Sequence, residues 1–304
     1  NSKNVYFSTA TNSFYQFSTT PRNSELKLSQ GLLESAKKRL LGQNPPEKGV
    51  VLVKNVSFES YVKFCEAENN LPIKTRLING NVVAYESALS SHGTAAGEVF
   101  GLMRVWSDQM TGTNKEDLIV APNSYFTADF SIRPRNLPPP RAGLSCNSDG
   151  LPYPNMVIEV GYRESPRSLH GLAPFYLSPR TTIMIYLAIK IYPVRTHYPG
   201  RKPMVAMLYQ RSGQTPNIPT RMISFGNAPL DNRVVNYFLG IGVNVTGVGI
   251  LGAPPCNTPN IPTYQLQIPA AEIFNRTPFI LPTINFDLIC GKSKTEYLDL
   301  RINK

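Results

Sequence analysis

Two short apolar runs constrain the fold of this chain more than any other feature. Residues 156–160 are apolar except for Glu159, and residues 183–191 are apolar except for Lys190. Both runs are much shorter than a membrane-spanning helix, and runs of this length between turn residues are typical of buried strands. The sequence therefore predicts that both are central strands of a β-sheet.

Helices and further strands are indicated on either side of these runs. Helical periodicity predicts four helices, which begin at Ser24, at Ser57, at Ser90 or Ser91, and at Ser165-Pro166. The first helix carries an apolar stripe of Leu26, Leu33, Ala36 and Leu40 and ends at Gly42, and the fourth runs toward Tyr176 with its end distorted by Pro174. Strands are predicted at residues 50–53, 73–78, 82–85, 118–120, 128–133, 156–160, 181–191, 204–209 and 264–268. This order predicts an α/β fold, with a mixed central sheet flanked by helices, an N-terminal helical arm and a β-rich C-terminal extension.

Two turn-forming segments divide the predicted strands. Asn79-Gly80 readily adopts the two positive φ angles of a type I′ turn, which predicts a hairpin of the strands on either side. Residues 133–154 include Pro138-Pro139-Pro140, which exclude regular structure and predict a long surface loop. Loops of this kind often border functional sites.

Basic residues are in excess. The 304 residues carry a formal net charge of +11, and residues 129–233 hold 13 Lys and Arg against 5 Asp and Glu. Such an excess favours polyanionic partners, although a solvated basic surface explains it equally well. The four cysteines lie far apart without a CxxC pair, so free thiols and an intracellular location, the nucleus included, are expected. No segment is predicted to enter a membrane.

Asp129 and Glu159 are the acidic residues that call for a chemical explanation. Glu159 lies in an apolar strand, where an unpaired carboxylate costs several kcal/mol, on the order of 2–7. If the two strands are neighbours and the side chains face the same way, both carboxylates can share a Mg²⁺ or Mn²⁺ ion that offsets their repulsion. That ion would activate water and polarise a phosphodiester. The alternative is that both acids form salt bridges with Arg133, Arg163 or Arg167.

Several short motifs occur in the order found in one known family. They are Ser57-Phe58-Glu59-Ser60-Tyr61, the hairpin of residues 77–83, Ser91-His92, Ala128-Asp129, Val157-Ile158-Glu159-Val160, residues 185–189 and residues 266–274. Across residues 57–275 the chain thereby resembles the Uma-type restriction endonucleases, a bacterial family of the PD-(D/E)xK nuclease superfamily that has divergent eukaryotic copies.

The resemblance implies a restriction-endonuclease-like core and a Mg²⁺-dependent endonuclease that cuts nucleic acid, DNA rather than RNA, with a homodimer as one expected state. It implies that Asp129, Glu159 and the main-chain carbonyl of Val160 bind the metal, joined by Glu86 or by Glu98, which would otherwise be a solvated surface acid. The implied division is an N-terminal arm and helix at 1–50, a nuclease-like domain at 51–275 with an insertion at 211–262, and a tail strand at 276–304.

The chain departs from the family at the catalytic lysine. Gly161 stands at that position, and residues 169–172 lack the lysine that many relatives carry on the following helix. Lys190 is the candidate substitute, although a lysine near a strand end can also extend to water. Arg133, Arg163 and Arg167 are candidates for contacts with nucleic-acid phosphates. His92 and His170 are candidate general bases, although a structural role is commoner for a lone histidine.

Three functions follow from these features. The first is a Mg²⁺-dependent endonuclease with Asp129, Glu159 and Lys190 as its catalytic residues. The second is a catalytically degenerate protein that keeps the fold and acts as a nucleic-acid-binding or scaffold module, for which Gly161 is the main evidence. The third is a structural assembly protein, which leaves the buried Glu159 unexplained.

Overall fold

The computed structural model of the chain describes residues 25–42, 44–67, 71–87, 90–194, 200–258, 260–278, 283–289 and 299–303. Within these residues the helices are α1 (Gln30–Leu41), α2 (Phe58–Ala67), α3 (Ser90–Trp106), α4 (Pro166–His170), α5 (Ala173–Tyr176), α6 (Asn232–Gly240) and α7 (Ala270–Ile273). The strands are β1 (Val50–Val53), β2 (Ile73–Ile78), β3 (Asn81–Ser87), β4 (Met110–Ala121), β5 (Ser124–Pro134), β6 (Met156–Gly161), β7 (Ile185–Ile191), β8 (Pro203–Gln210), β9 (Arg221–Gly226), β10 (Val245–Gly247), β11 (Gln265–Ile268), β12 (Ile284–Ile289) and β13 (Asp299–Asn303). The expected arm at residues 1–22 lies outside the described residues.

A ten-stranded sheet organises the molecule. Its strands follow the order β1-β3-β2-β5-β6-β7-β8-β9-β10, with β4 paired to β5, and a second sheet has the order β11-β12-β13. The large sheet is mixed, because β6 runs parallel to β7 and β9 parallel to β10 while the other pairs are antiparallel. The predicted α/β class, a mixed central sheet flanked by helices, is confirmed.

Both faces of the two predicted central strands are covered. Ile158 and Leu187 face a core shared with α3 and the small sheet, whereas Val157 and Tyr186 face a core shared with α4, α5 and α6. Because neither face meets water, apolar residues are required at almost every position of these strands. This requirement explains the continuous apolar runs in the sequence.

The large sheet forks at β5. One edge of β5 pairs with β4 along most of its length. The other edge pairs first with β2, through Tyr125 and Leu77, and then with β6, from Phe130 opposite Ile158 to Ile132 opposite Met156. The strands β2 and β6 therefore separate beside residues 127–129, and the ladder of backbone hydrogen bonds is interrupted there.

Several predicted elements differ from the observed ones. The first helix begins at Gln30, because Ser29 accepts the capping hydrogen bond from the Leu32 amide at 3.3 Å, and Ser24 lies outside the described residues. The fourth predicted helix is two short ones, since Pro174 lies in the first turn of α5, where proline starts a helix. The strand expected from residue 181 begins at Ile185, because the Thr181 hydroxyl is bonded to the Tyr176 carbonyl in a turn.

Other elements were longer than predicted or were missed. β4 begins at Met110, although its first half is polar, because this half lies at the sheet edge with exposed side chains. Residues 211–262 contribute β9, β10 and α6, and α6 was not predicted. The hairpin of β2 and β3 is confirmed, with φ angles of 48° at Asn79 and 77° at Gly80. The proline-rich loop is also confirmed, since no regular element occurs between Pro134 and Met156.

No helix within the described ranges has the length and apolar character needed to cross a bilayer.

Candidate functional site

Asp129 lies where the large sheet forks, and its carboxylate joins the two branches. Oδ2 accepts a hydrogen bond from the Val160 amide of β6 at 2.9 Å, and Oδ1 accepts one from the Lys74 ammonium of β2. Asp129 is 5% exposed, so its charge is largely removed from water. The carboxylate therefore links β5 to both β6 and β2 where the ladder of backbone hydrogen bonds is interrupted.

The electrostatics of Asp129 follow from these contacts. Burial alone would raise its pKa, but the nearby His92 ring and the Lys74 ammonium outweigh burial and lower the pKa to about 2. The His92 Nδ1 atom lies 3.8 Å from Oδ2. Asp129 is therefore ionised at neutral pH, and Lys74 supplies the opposite charge.

Glu159 lies in β6, close enough to Asp129 for the Asp129 charge to raise its pKa. The pairing of β5 with β6 ends at Phe130 opposite Ile158, one residue before Asp129 and Glu159. The two side chains nevertheless take different partners. Glu159 Oε1 accepts a hydrogen bond from the Tyr176 hydroxyl of α5, whereas Asp129 contacts Lys74 of β2.

Glu159 also differs from Asp129 in its charge state. Complete burial raises its pKa to about 8, and the negative charge of Asp129 adds to this effect, while Arg76 and Lys74 oppose it. The carboxyl group is therefore mostly protonated at neutral pH. A neutral carboxyl group is a poor ligand for a divalent cation, which binds ionised oxygens.

Arg76 of β2 is a fixed positive charge that the sequence did not reveal. Its side chain is 2% exposed and forms two hydrogen bonds to Glu164, at 2.9 and 3.3 Å. The guanidinium also stacks on the Tyr85 ring, 3.4 Å from its centroid. In the sequence Arg76 follows Lys74 with ordinary strand alternation, and nothing distinguishes it from a surface arginine.

The arginines proposed as salt-bridge partners of Asp129 and Glu159 have other contacts, so that alternative is wrong. Arg133 pairs with Glu116 and donates to the Pro152 carbonyl at 3.0 Å. Arg167 forms an exposed pair with Glu47 at 2.6 Å. Arg163 lies over the Tyr162 ring, with its guanidinium carbon 5.5 Å from the centroid.

The two candidates for an additional acid are not directed at Asp129. Glu86 is fully buried, and its Oε2 accepts hydrogen bonds from three consecutive amides, those of Tyr162, Arg163 and Glu164, at 2.6 to 3.0 Å. Its other oxygen accepts the Ser87 amide at 2.9 Å. This carboxylate holds the turn that follows β6. Glu98 is exposed on α3.

Lys190 lies next to Gly161, the position at which the Uma-type restriction endonucleases have their lysine. In the parallel pairing of β6 and β7, Lys190 is the partner of Gly161. Its ammonium donates to the Tyr162 carbonyl at 2.6 Å, and burial lowers its pKa to about 8. Lys190 therefore lies beside Gly161, and its ammonium is hydrogen-bonded to the protein backbone.

The space at Gly161 is already filled. A Cβ atom built there would lie 3.0 Å from Leu169 Cδ1 and 3.2 Å from the Glu164 carbonyl oxygen. These separations are tighter than ordinary van der Waals contact, and one of the neighbours is backbone. A lysine side chain therefore does not fit at this position without movement of the turn.

The two candidate histidines have different surroundings. His92 is 2% exposed, and its Nδ1 is hydrogen-bonded to the Val160 carbonyl, the main-chain oxygen expected to bind metal. His170 is far from His92 in the sequence. Its Nδ1 lies 3.0 Å from the Tyr209 hydroxyl, and burial lowers the pKa of the His170 imidazole.

A cavity of about 800 Å³ opens beside Asp129. Its walls come from α2, β2, β3, the first turns of α3, β4 and β5. The residues that line it are Tyr61, Cys65, Leu71, Ile73, Lys74, Thr75, Tyr85, His92, Gly93, Thr94, Asn114, Lys115, Asp117, Thr127, Ala128 and Asp129. Lys74 and His92 thus border both the carboxylate and the cavity.

The arrangement does not fit a divalent metal ion. Both oxygens of Asp129 and the carbonyl of Val160 have protein partners, and Glu159 accepts a hydrogen bond from the Tyr176 hydroxyl. Across the described ranges, no three or more His, Cys, Asp or Glu side chains are grouped so as to hold a metal. The chemical role expected of the metal, compensation of a buried carboxylate, is filled by Lys74.

Comparison with known proteins adds little to this description. No family model and no curated protein matches the chain. A solved structure described as a "putative nuclease belonging to DUF820" from Anabaena variabilis aligns with 58% of this chain and 90% of its own, at 12% identity and a TM-score of 0.37. A likeness this distant does not identify a family or an activity.

Replacing Lys74 tests its role as the counter-charge. The Lys74→Met variant is expected to lose about 1–3 kcal/mol of unfolding free energy at pH 7, because the buried Asp129 carboxylate loses its ion pair. Since the pair lowers the pKa of Asp129, its contribution is present above the unfolded pKa and is lost as pH falls toward about 2. Urea unfolding at pH 7 and pH 3 measures both effects.

Lys115→Met is the control, since Lys115 lines the same cavity without an ion pair among the described residues. Equal losses of unfolding free energy in the two variants would contradict the assignment of Lys74 as the counter-charge.

Placing a lysine at position 161 tests the packing at Gly161. The Gly161→Lys variant is expected to lose about 1–3 kcal/mol of unfolding free energy, because its Cβ meets Leu169 and the Glu164 backbone. Gly161→Ala should lose part of this amount for the same reason. A Gly161→Lys protein as stable as the original in thermal and urea unfolding would show that the turn yields easily.

Proposed function

We propose that this chain is a nucleic-acid-binding protein that keeps a nuclease-like α/β frame without hydrolysing its ligand. The observation that carries the proposal is the engagement of Asp129, whose two oxygens are bonded to Lys74 and to the Val160 amide. A carboxylate bound in this way supports the sheet and is not available to a metal ion.

The contacts of Lys190 and Glu159 support the same conclusion. Phosphodiester hydrolysis needs an activated water and a group that offsets the developing negative charge. Lys190 is bonded to the Tyr162 carbonyl, and Glu159 accepts a hydrogen bond from the Tyr176 hydroxyl. Of the three positions proposed for catalysis, none presents a group directed at a common reaction centre.

The charge distribution supports nucleic acid as the ligand. Several basic residues in the stretch with the largest excess are exposed, namely Arg135, Arg141, Arg167, Arg201 and Arg233. Arg167, one of the arginines expected to contact phosphates, keeps about half of its side chain accessible, pairs with the exposed Glu47 and lies over the Tyr237 ring. Arg133 is held inside by Glu116, so it is no longer a candidate for phosphate binding. Exposed arginines attract the phosphate backbone without reading sequence.

A metal-dependent nuclease is the second candidate function, and the proximity of Asp129 to Glu159, whose pKa its charge raises, favours it. It requires that a divalent ion displace the Lys74 ammonium from Asp129, and that Glu159 lose its proton. The free energy of metal binding would have to exceed the free-energy cost of both changes. A homodimer and a preference for DNA over RNA are further expectations that the same samples can test.

Binding and cutting can be measured together. Fluorescence anisotropy with labelled single- and double-stranded DNA and RNA is expected to give binding that weakens by about tenfold or more between 50 and 200 mM salt, because bound arginines release counterions. The oligonucleotides should stay intact in Mg²⁺ and in Mn²⁺. Light scattering on the same complexes reports whether the protein is a monomer, a homodimer or a large assembly.

Two variants separate the alternatives. If the original protein cuts nucleic acid and both Asp129→Ala and Glu159→Ala abolish cutting, the protein is a metal-dependent nuclease and our proposal is wrong. Cutting that is equal in all three proteins indicates a contaminant and leaves the binding result to decide. An affinity for every nucleic acid that is undetectable at 50 mM salt would also overturn the proposal.

A further inference from the structure

The cavity beside Asp129 has the size of a small-ligand site. Its volume of about 800 Å³ lies in the range of about 300–1,000 Å³ that small-molecule sites occupy. Its lining combines apolar side chains such as Leu71 and Ile73 with polar groups that come from four separate elements. A cavity of this kind is expected to hold a ligand with both a charged group and an apolar part.

His92 lines this cavity and carries an unsatisfied polar atom. The side chain is 2% exposed, its Nδ1 is bonded to the Val160 carbonyl, and its Nε2 is buried without a hydrogen-bond partner among the described residues. Leaving a buried polar atom unpaired costs about 1–3 kcal/mol. A ligand in the cavity that hydrogen-bonds to Nε2 would remove this cost.

Positively charged groups contribute to the lining of the cavity. The first turns of α3 contribute His92, Gly93 and Thr94 to the lining, and the N-terminus of this 17-residue helix carries a partial positive charge. Lys115 also lines the cavity, is exposed, and has no ion-pair partner among the described residues. Its backbone has a φ of 53°, a strained conformation of the kind that is concentrated at functional sites.

One of the two acidic residues of the lining has an ion pair among the described residues. Asp129 is paired with Lys74, whereas Asp117 accepts a hydrogen bond from the Thr127 hydroxyl at 2.6 Å, a contact that does not neutralise a carboxylate. Lys115, the start of α3 and His92 are the groups of the lining that remain for an anionic ligand. Together they favour an anionic group that can also donate a hydrogen bond to the imidazole.

We propose that this cavity binds a phosphomonoester, either the terminal phosphate of a nucleic-acid strand or the phosphate of a free nucleotide. A phosphomonoester carries between one and two negative charges near neutral pH, whereas an internal phosphodiester carries one. Its oxygens accept hydrogen bonds from Lys115 and from the first turn of α3, and its remaining proton is shared with His92 Nε2. The first of these two sources rests on the proposed nucleic-acid binding, and the second does not.

Strand ends of defined chemistry test the proposal. Competition anisotropy would compare one 12-nucleotide strand bearing a 5′-phosphate, a 3′-phosphate or hydroxyl groups at both ends. Calorimetry would measure adenosine monophosphate, adenosine and inorganic phosphate separately. We expect a phosphorylated end, or adenosine monophosphate, to bind about tenfold tighter than its hydroxyl counterpart, as charged hydrogen bonds of this kind provide.

Two lysine variants and one spectrum assign the effect to the cavity. Lys115→Met is expected to remove the preference for phosphate, whereas Lys63→Met, which removes an exposed lysine outside the lining, should keep it. The chain has three histidines, so the imidazole Cε1–H resonance of His92 can be identified in NMR spectra from a His92→Gln sample. Inorganic phosphate should shift this resonance in the original protein. The shift itself is measured on the original protein, and the variant serves only to assign the resonance.

The outcomes distinguish this proposal from the proposed function. Equal affinity for phosphorylated and hydroxyl ends, together with an unshifted His92 resonance, would overturn the cavity assignment and leave nucleic-acid binding intact. Binding of adenosine monophosphate without binding of any oligonucleotide would support the cavity assignment and contradict the proposed function. A phosphate preference that persists in Lys115→Met and disappears in Lys63→Met would place the phosphate elsewhere and overturn the assignment.

Discussion

The structure depends on how the buried carboxylate of Asp129 is compensated at the fork of the large sheet. Where β2 and β6 separate, backbone groups lose their ladder partners, and an unsatisfied polar group in such a place is costly. Asp129 accepts the Val160 amide on one side and the Lys74 ammonium on the other. The Asp129 side chain thereby satisfies the Val160 amide and joins the two branches, and Lys74 neutralises its charge. Because the same contacts occupy both carboxylate oxygens, neither oxygen is free to bind a metal ion.

The neighbouring charges follow the same rule. Arg76 is buried only because Glu164 forms two hydrogen bonds with it and Tyr85 covers its face. Glu86 is buried because three amides of the turn after β6 donate to it. Each buried charge is paired or hydrogen-bonded within the protein, as burial requires. His92 Nε2 is one of several buried side-chain atoms without a hydrogen-bond partner among the described residues, and it belongs to a residue that lines the cavity, which is why the cavity is the place to look for a ligand.

Much of the fold was predictable because its signals are local. The apolar runs identified β6 and β7, and Asn79-Gly80 identified the hairpin. The partners of the buried carboxylates were not predictable. Lys74 lies 55 positions from Asp129, and Arg76 lies 88 positions from Glu164, so only the pairing of distant strands brings them together. Polar edge residues also concealed the first half of β4, which has no apolar alternation to detect.

The central claim is that Lys74 occupies the place of a metal ion at Asp129. Crystals soaked in Mn²⁺ and measured at the manganese absorption edge test this claim directly, because anomalous scattering locates the ion without reference to activity. We predict no anomalous peak between Asp129 and Glu159, with the Lys74 ammonium in contact with Asp129 Oδ1. A peak within about 2.2 Å of oxygens from both carboxylates, with Lys74 displaced, would contradict it.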